Sequence, residues 1–442
     1  MKLPELLSPA GDIEKAYYAF RYGADAIYCG IPMFSLRTRM NTFKEEEIKE
    51  IVEYAHKNNK KVYVTVNGFP HQHMIEVIKK HLQFLAKVNP DGLIIADTGV
   101  LLLANEIAPN IPKHLSVQTS TINEPAMKFW MKNGVKRIIL AREMTITEVK
   151  KIHEMLPELE LEYFVHGAVC MAYSGRCLLS NFMTARDANR GACAHSCRWN
   201  YRIYDENGYE IDTSDREKEK EINTKDISKN IHEFESKQYW EEELRQKEFI
   251  PVEEDFHGTH IMSSRDMCMI EYLKEIIEAG VCSMKIEGRN KTIYYLASVT
   301  RAYGKALDDI ANKKPFDTSL WNEIHAIANR GFFAGFLKGK PNAEGQQYEA
   351  NVSRSTHDFL GIVLECKNGK LRFDVKNRVD EGDEIEFVFP NIKDDFKMKA
   401  RGLEKGEEKV KSLHGGNGDG WIECEKEVPE GTIIRKKTIM IN

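Results

Sequence analysis

Four of the nine cysteines in this 442-residue chain fall in one glycine-punctuated window, as Cys170, Cys177, Cys193 and Cys197, with Gly167, Gly175 and Gly191 among them. Thiolates concentrated in this way suit a soft metal or an iron–sulfur cluster. Structural zinc is the second reading, but its sites take two close pairs of the Cys-x2-Cys to Cys-x4-Cys kind. Only Cys193-x3-Cys197 has that form, because six residues separate Cys170 from Cys177. A disulfide framework is opposed by the odd cysteine count, by a length that needs no staples, and by a start, Met1-Lys2-Leu3-Pro4, without a charged and apolar leader. A reduced, cytoplasmic protein is the expectation. The scattered Cys29, Cys366 and Cys424 read as small core residues. Cys170 beside His166 is a further candidate, as a catalytic nucleophile, although a nucleophile accounts for one cysteine and not for a group.

The elements that must position this window repeat a short strand and then an amphipathic helix across residues 1–167. Strands are expected at Leu3–Ser8, Ala24–Cys29, Lys61–Asn67, Gly92–Asp97, Leu115–Thr119, Arg137–Arg142 and Leu161–His166. Asp12 is placed to cap a first helix running to Arg21. In Lys44–Asn58, Ile48, Ile51, Val52 and Ala55 share one face. One more unit, helix Met267–Ala279 and strand Ser283–Glu287, completes eight strands. Eight βα units are best satisfied by an α/β fold of the (β/α)8 TIM-like barrel type, with an open doubly wound sheet as runner-up. The first strand is not followed by Gly-x-Gly-x-x-Gly, which weighs against a dinucleotide fold. Lys291–Lys313 and Leu320–Asn329 read as closing helices. Beyond about Asn342 the pattern changes to short alternating strands around the hairpin signal Asn368-Gly369. These strands, Leu360–Cys366, Lys370–Lys376, Glu384–Phe389, Lys397–Arg401, Gly420–Cys424 and Thr432–Lys436, suggest a small antiparallel C-terminal β-barrel. The expected domains are 1–340 and 341–442, the first holding the cysteine window at 162–198.

The formal net charge of −5 argues at first against a nucleic-acid partner. Its distribution reverses that. Residues 205–255 hold 18 Asp and Glu against 8 Lys and Arg, a local balance of −10, so the rest of the chain carries +5. This acidic insertion reads as a solvated or partly ordered stretch. No apolar run approaches the roughly 20 residues of a membrane span, so no membrane partner is expected. Arg176, Arg186, Arg190 and Arg198 interleave with Phe182, Trp199 and Tyr201, a mixture suited to phosphate contacts and base stacking; packing of the cluster loop is the alternative, preferred for Phe182. Lys397, Lys399, Lys436 and Lys437 offer a second basic surface or a merely solvated strand face. In a (β/α)8 barrel the site forms at the C-terminal strand ends, here Asn67, Asp97, Gln118, Arg142, His166, Lys285, Glu287 and Arg289.

The window has the form Glu162-x-Phe164-x2-Gly167-Ala168-Val169-Cys170-x4-Gly175-x-Cys177-x-Leu179-Ser180, which resembles the signature of peptidase family U32, the collagenase-like family. The start Glu5-Leu6-Leu7-Ser8-Pro9-Ala10-Gly11, the run Phe34-Ser35-Leu36-Arg37-x-Arg39 and Lys285-Ile286-Glu287-Gly288-Arg289 extend the resemblance over nearly the whole chain. Glu253-Glu254-Asp255, His257-Gly258-Thr259 and Arg330-Gly331-Phe332-x2-Gly335-Phe336 narrow it to the tRNA hydroxylation branch. The peptidase name meets neither a Gly-x-Ser-x-Gly elbow nor a His-Glu-x-x-His helix in this sequence.

The resemblance implies an iron–sulfur enzyme, with a 4Fe–4S cluster the expected form, that converts the wobble uridine of the tRNA anticodon loop to 5-hydroxyuridine with prephenate as co-substrate. It implies Cys170, Cys177 and Cys193 as ligands, with Cys268 as the fourth and Cys197 in reserve. Cys268, opening the helix before the eighth strand, is expected to return to the end of the seventh. Prephenate carries two carboxylates, which arginine holds by bidentate bonds. Arg142 and Arg289 are the expected clamps, with Arg37 and Arg39 as alternatives and structural ion pairing as the competing role of each. His166 is expected as a general acid or base, or as a hydrogen-bonding neighbour of the cluster, with Glu287 beside it in the chemistry. Gln118, Lys285, Arg186, Arg190, Arg198 and Trp199 are expected to contact substrate. A partner subunit of the same family is implied as well. Two other functions stay open, a collagenase-like peptidase and a non-enzymatic cluster-bearing RNA-binding partner.

Overall fold

The computed structural model describes residues 3–35, 42–169, 264–339, 341, 345, 354–416 and 418–438, together with three strands between 238 and 260. Eight parallel strands close on themselves: β1 (Glu5–Pro9), β2 (Ala26–Cys29), β3 (Lys61–Val66), β4 (Gly92–Ile95), β5 (Lys113–Leu115), β6 (Val135–Ile139), β7 (Glu160–Ala168) and, after three strands of an insertion and one short strand, β12 (Ser283–Ile286). Closure comes from β12, which pairs with β1 on one side and β7 on the other. The closed barrel is therefore the observed architecture, and the open sheet is excluded.

The helices cover the barrel as the apolar spacing predicts. Asp12 accepts from Lys15 N at 2.8 Å and starts α1 (Ile13–Arg21). In α2 (Glu45–Lys57), Ile48, Ile51, Val52 and Ala55 are the buried residues. Next come α3 (Ile75–Val88), α4 (Thr98–Ile107), capped by Asp97, α5 (Glu124–Lys132) and α6 (Ile146–Met155), where Thr145 and Glu148 form a capping box. Asp97, expected at the barrel mouth, thus spends a carboxylate oxygen on Val100 N at 2.9 Å.

Two expectations are corrected. Leu115–Thr119 is not one strand: β5 ends at Leu115 and Val117–Thr119 turns as a 3-10 helix. Within the acidic insertion, β8 (Gln238–Glu241) and β9 (Phe249–Asp255) pair antiparallel, and β10 (Gly258–His260), just beyond it, pairs antiparallel with β9. The helix expected over Met267–Ala279 begins later. Asp266–Cys268 is instead strand β11, antiparallel to β7, followed by a 3-10 turn at Ile270–Tyr272 and α7 (Leu273–Glu278). Its apolar run reads equally as a buried helix or strand, and pairing with the C-terminal end of β7, His166–Ala168, decides it.

The long helix α8 (Ile293–Ala311) and α9 (Leu320–Ala326) follow, then β13 (Phe332–Phe333), parallel to β11. The C-terminal region is an antiparallel sheet curled over a second apolar core that includes Leu371, Phe373, Phe387 and Ile422. Its order is β18 (Phe396–Lys399), β17 (Glu384–Val388), β23 (Ile433–Lys437), β14 (His357–Lys367), β15 (Lys370–Val375), β22 (Asp419–Glu423), β19 (Glu404–Lys405) and β20 (Glu408–Lys409). A separate ribbon joins β16 (Val379–Asp380) to β21 (Ser412–Leu413). The β14–β15 hairpin turns at Asn368-Gly369, both at positive φ, as the dipeptide predicts.

Ion pairs tie this sheet to the barrel. Arg301 of α8 and Arg435 of β23 share the Glu323 carboxylate of α9, with Arg435 Nη2 at 2.7 Å, and Arg301 also reaches Asp395 at 2.9 Å. Among the described residues no helix is long and apolar enough to cross a membrane.

Candidate active site at the barrel mouth

The barrel interior is polar at its centre. Glu162 of β7 is fully buried and accepts from Lys285 Nζ of β12 at 2.6 Å. Arg137 of β6 joins the same carboxylate at 3.3 Å and pairs with Glu5 and Glu160. Burial pulls the Lys285 ammonium below its ordinary value, while Glu162 pulls it the other way.

Above this layer the expected mouth residues converge. Arg142, just past β6, donates from Nη2 to Glu287 at 3.2 Å and lays its guanidinium over the Phe164 ring at 3.9 Å. Lys285 sits 4.1 Å from the Tyr28 ring centre and 5.5 Å from that of Phe164. Arg289 faces Tyr28 at 5.5 Å and donates to Thr65 Oγ1 at 3.3 Å; Thr65 is held in turn by Ser35 at 2.6 Å. Asn67, Ser116 and Gln118 form a hydrogen-bonded row, with Ser116 Oγ donating to Gln118 Oε1 at 3.0 Å. Gln118 Nε2 and Arg142 Nε, both buried, have no hydrogen-bond partner among the described residues. Buried donors of this kind mark where water or a polar ligand completes the network. Three cations on two aromatic faces, two of them paired with Glu162 and Glu287, and unspent donors beside them give a mouth that can hold a small anion.

Close approach of β7 and β12 shapes the floor. Gly167 has φ +114°, and a Cβ there would lie 2.8 Å from both Cβ and the carbonyl oxygen of Glu287. The glycine of the sequence motif is thus what lets Glu287 reach Arg142.

His166 lies elsewhere. Its ring is enclosed by Tyr303 (5.5 Å), Tyr295 (5.9 Å) and Phe332 (5.6 Å), on the side of β7 that faces α8. Burial, reinforced by the Lys291 cation, lowers its pKa to about 3, so the imidazole is neutral. Cys268 stands opposite His166 in the β7–β11 register, so it does reach the end of the seventh strand, although from a strand and not from a helix. Its Sγ lies 3.5 Å from the Tyr303 hydroxyl, and burial pushes the thiol up to about 12. That hydroxyl also donates to Val165 O at 2.8 Å and accepts from Met269 N at 3.2 Å.

Cys170, Cys177, Cys193, Cys197, Arg37, Arg39, Arg186, Arg190, Arg198 and Trp199 lie outside the described residues. Among the described residues no group of three His, Cys, Asp or Glu side chains is arranged to hold a metal ion. Cys268 fits a cluster in two respects: it is a thiol, and it is paired with the strand that leads within two residues to Cys170. Ligation there would require the metal to displace the thiol proton. The basic C-terminal surface is more neutral than its lysines suggest, because Lys436 pairs with Asp383 at 2.7 Å and Lys397 with Glu384 at 3.6 Å.

Sequence reasoning missed Tyr28, Thr65 and Tyr303. Inward alternation within Ala26–Cys29 pointed to Tyr28, and Tyr295 and Tyr303 recur on one helix face two turns apart.

A closed (β/α)8 barrel with its cationic mouth at the C-terminal strand ends, joined to a curled antiparallel sheet, defines the class. Residues 11–347 match the model of peptidase family U32, and residues 355–435 match that of the family's C-terminal domain. The chain belongs to peptidase family U32. It is 40% identical over 406 residues to tRNA hydroxylation protein P of Haemophilus influenzae, covering 90% of this chain and 88% of that one. The protein of the same name from Escherichia coli is 40% identical over 410 residues, covering 91% and 90%. A collagenase of Porphyromonas gingivalis is 28% identical over 404 residues, covering 87% and 86%.

Proposed function

We propose that this protein acts in tRNA hydroxylation, as an enzyme forming 5-hydroxyuridine at the wobble position with prephenate as co-substrate. The observation that carries this reading is the convergence of Arg142, Lys285 and Arg289 on the faces of Phe164 and Tyr28 at the barrel mouth, in a chain whose relatives across nine-tenths of its length are named for tRNA hydroxylation. Prephenate brings two carboxylates and an unsaturated ring, which those cations and ring faces complement. In this reading Arg142 and Arg289 orient the carboxylates, Lys285 adds positive charge, Glu287 holds the Arg142 fork in place, and Gln118 offers its spare N–H. In this reading the tRNA anticodon loop reaches the same mouth, and Arg37, Arg39, Arg186, Arg190, Arg198 and Trp199, outside the described residues, are its expected contacts.

Cys170, Cys177, Cys193 and Cys268, with Cys197 in reserve, would hold an iron–sulfur cluster. Such a group supplies one-electron transfer. Iron and sulfide content with visible absorption after anaerobic purification tests this. The Cys268→Ser and Cys197→Ser variants separate the two fourth-ligand choices, since only the true ligand's loss changes the spectrum.

The peptidase reading gains nothing from the one cysteine–histidine neighbourhood described. Cys268 and His166 are both buried under α8, and an activated pair needs a lowered thiol, whereas burial raises this one. Nucleoside mass spectrometry on tRNA from cells lacking every family member, with and without this chain, decides the function. Restored 5-hydroxyuridine supports hydroxylation; its absence beside gelatin cleavage by the purified protein supports proteolysis.

A further inference from the structure

Two cysteines that the proposed function does not use meet in the C-terminal sheet. Cys366, near the end of β14, and Cys424, one residue past β22, both direct their thiols at the same acceptor: each Sγ lies 3.3 Å from Lys426 O. The two sulfurs are therefore no further apart than twice that distance. The strands explain the meeting. Cys366 is opposite Leu371 of β15, and Leu371 is opposite Ile422 of β22, so the core-facing side of three strands carries Cys366, Leu371, Ile422 and, two residues on, Cys424. The Cys424 backbone is pinned at the hairpin tip, where its N–H donates to Gly369 O at 2.8 Å. No other described cysteines share an acceptor in this way.

We infer that Cys366 and Cys424 are a reversible dithiol–disulfide pair that staples the β14–β15 hairpin to the exit of β22. The two thiols differ in access, which assigns their roles. Cys366 is partly exposed and meets a small oxidant first, whereas Cys424 is buried in the second core. Burial pushes the Cys424 thiol up, and its neighbour Cys366 pushes the same way, so Cys424 rests as a thiol until a partner sulfur arrives.

The oxidant is a low-molecular-weight disulfide. Cys366, as thiolate, attacks one of its sulfurs, forming a mixed disulfide and releasing one small thiol. Cys424 then loses its proton and attacks the Cys366 sulfur, releasing the second small thiol. Two S–H bonds and one small-molecule S–S bond are exchanged for one intrachain S–S bond and two small thiols, which carry away both electrons and both protons. The bond closes a loop containing β15 to β22, and a cross-link over so long a segment restricts the unfolded chain.

The test uses the full chain, purified reduced and equilibrated with defined ratios of oxidised to reduced glutathione. Free thiols are then alkylated and the peptides mapped by mass spectrometry. The expected product is a peptide pair joined through Cys366 and Cys424, whose fraction rises with the ratio and returns to zero with dithiothreitol. The melting temperature of the oxidised form rises by several degrees, and in Cys424→Ser the Cys366 peptide carries glutathione instead. A wild-type protein that accumulates glutathione on Cys366 without the joined pair overturns the inference. So does one that joins Cys366 or Cys424 chiefly to other cysteines, and the wild-type map reads either result even where the variant fails to fold.

Discussion

Arg142 Nη2 and the Glu287 carboxylate meet at 3.2 Å across the top of β7, joining the strand before it to the strand after it. Phe164 of β7 lies directly beneath, its ring 3.9 Å from the guanidinium carbon. Both charged side chains are buried, so neither can turn to water when the other is removed. This geometry makes the pair a support for the mouth and gives substitutions there separable effects on stability and on activity.

Arg142→Met should cost about 3–5 kcal/mol, because it strands the Glu287 charge in a dry site. The double change Arg142→Met with Glu287→Gln should recover most of that loss, read from denaturant midpoints. Neither variant should restore 5-hydroxyuridine in tRNA. Arg142→Lys keeps a charge but loses the planar fork, and should lower product roughly tenfold or more with little change in midpoint. An active double variant would remove Arg142 from the substrate site.

Gly167→Ala should be more damaging than an ordinary one-methyl change. The residue sits at φ +114°, and the added Cβ would lie 2.8 Å from Glu287 Cβ and O. Backbone strain and overpacking each cost about 1–3 kcal/mol. Since the contact is Glu287 itself, the Arg142 pair should loosen too. The expected result is a lower melting temperature together with loss of hydroxylation, and a variant as stable and active as the parent would contradict it.

The barrel was legible because seven of its strands and their helices are local patterns of period two and 3.6. Asp12 and the hairpin Asn368-Gly369 were legible because each satisfies its own neighbours. Strand β11 was not, since the Asp266–Cys268 backbone is decided by the distant C-terminal end of β7. The side on which His166 lies was hidden for another reason. Counting alternately from Glu162 and Phe164 sends His166 into the barrel. The pairing Lys285↔Phe164 is followed by Ile286↔His166, however, so β7 carries an extra residue at Val165 and the parity flips. A bulge leaves no mark in the sequence of one strand. Arg142, Lys285, Glu287 and Arg289 were legible because they sit at strand ends that the barrel must bring together.

Acid should weaken the fold through His81. Its ring stacks on Phe34 at 4.1 Å, where the chain enters the segment carrying Arg37 and Arg39, and Phe84 lies beyond at 6.0 Å. The Glu45 carboxylate approaches Nδ1 at 3.4 Å. Burial lowers the imidazole from 6.5 to about 4. Between those values the unfolded chain holds a proton that the folded one does not, so this contribution is complete above about 6.5 and lost as pH falls towards 4. The slope attributable to one proton approaches about 1.4 kcal/mol per pH unit. Urea midpoints measured against pH should fall less steeply in His81→Phe than in the parent, and parallel curves would show that His81 does not titrate in this way.

Glu323 should govern whether the barrel and the C-terminal sheet unfold together. It lies on α9 between Arg301 of α8 and Arg435 of β23, accepting from Arg301 Nε at 3.0 Å and Arg435 Nη2 at 2.7 Å. Burial alone would raise this carboxyl, but the two guanidiniums overcome it and hold the group at about 2. Asp395 accepts from Arg301 Nη1 and Glu386 from Arg435 Nε at 2.9 Å each, and Phe389 O accepts from Arg301 Nη1 at 2.8 Å, so the second unit supplies acceptors to both arginines. Glu323→Gln keeps the shape and removes the charge that both arginines share. The expected cost is about 3–5 kcal/mol, since two buried cations then face each other across a neutral amide. Calorimetry should show the parent's main transition splitting, with the sheet melting first. A single transition merely shifted downward would mean that apolar contacts across the boundary, from residues such as Ile362, Val388 and Ile433, suffice to hold the two units together.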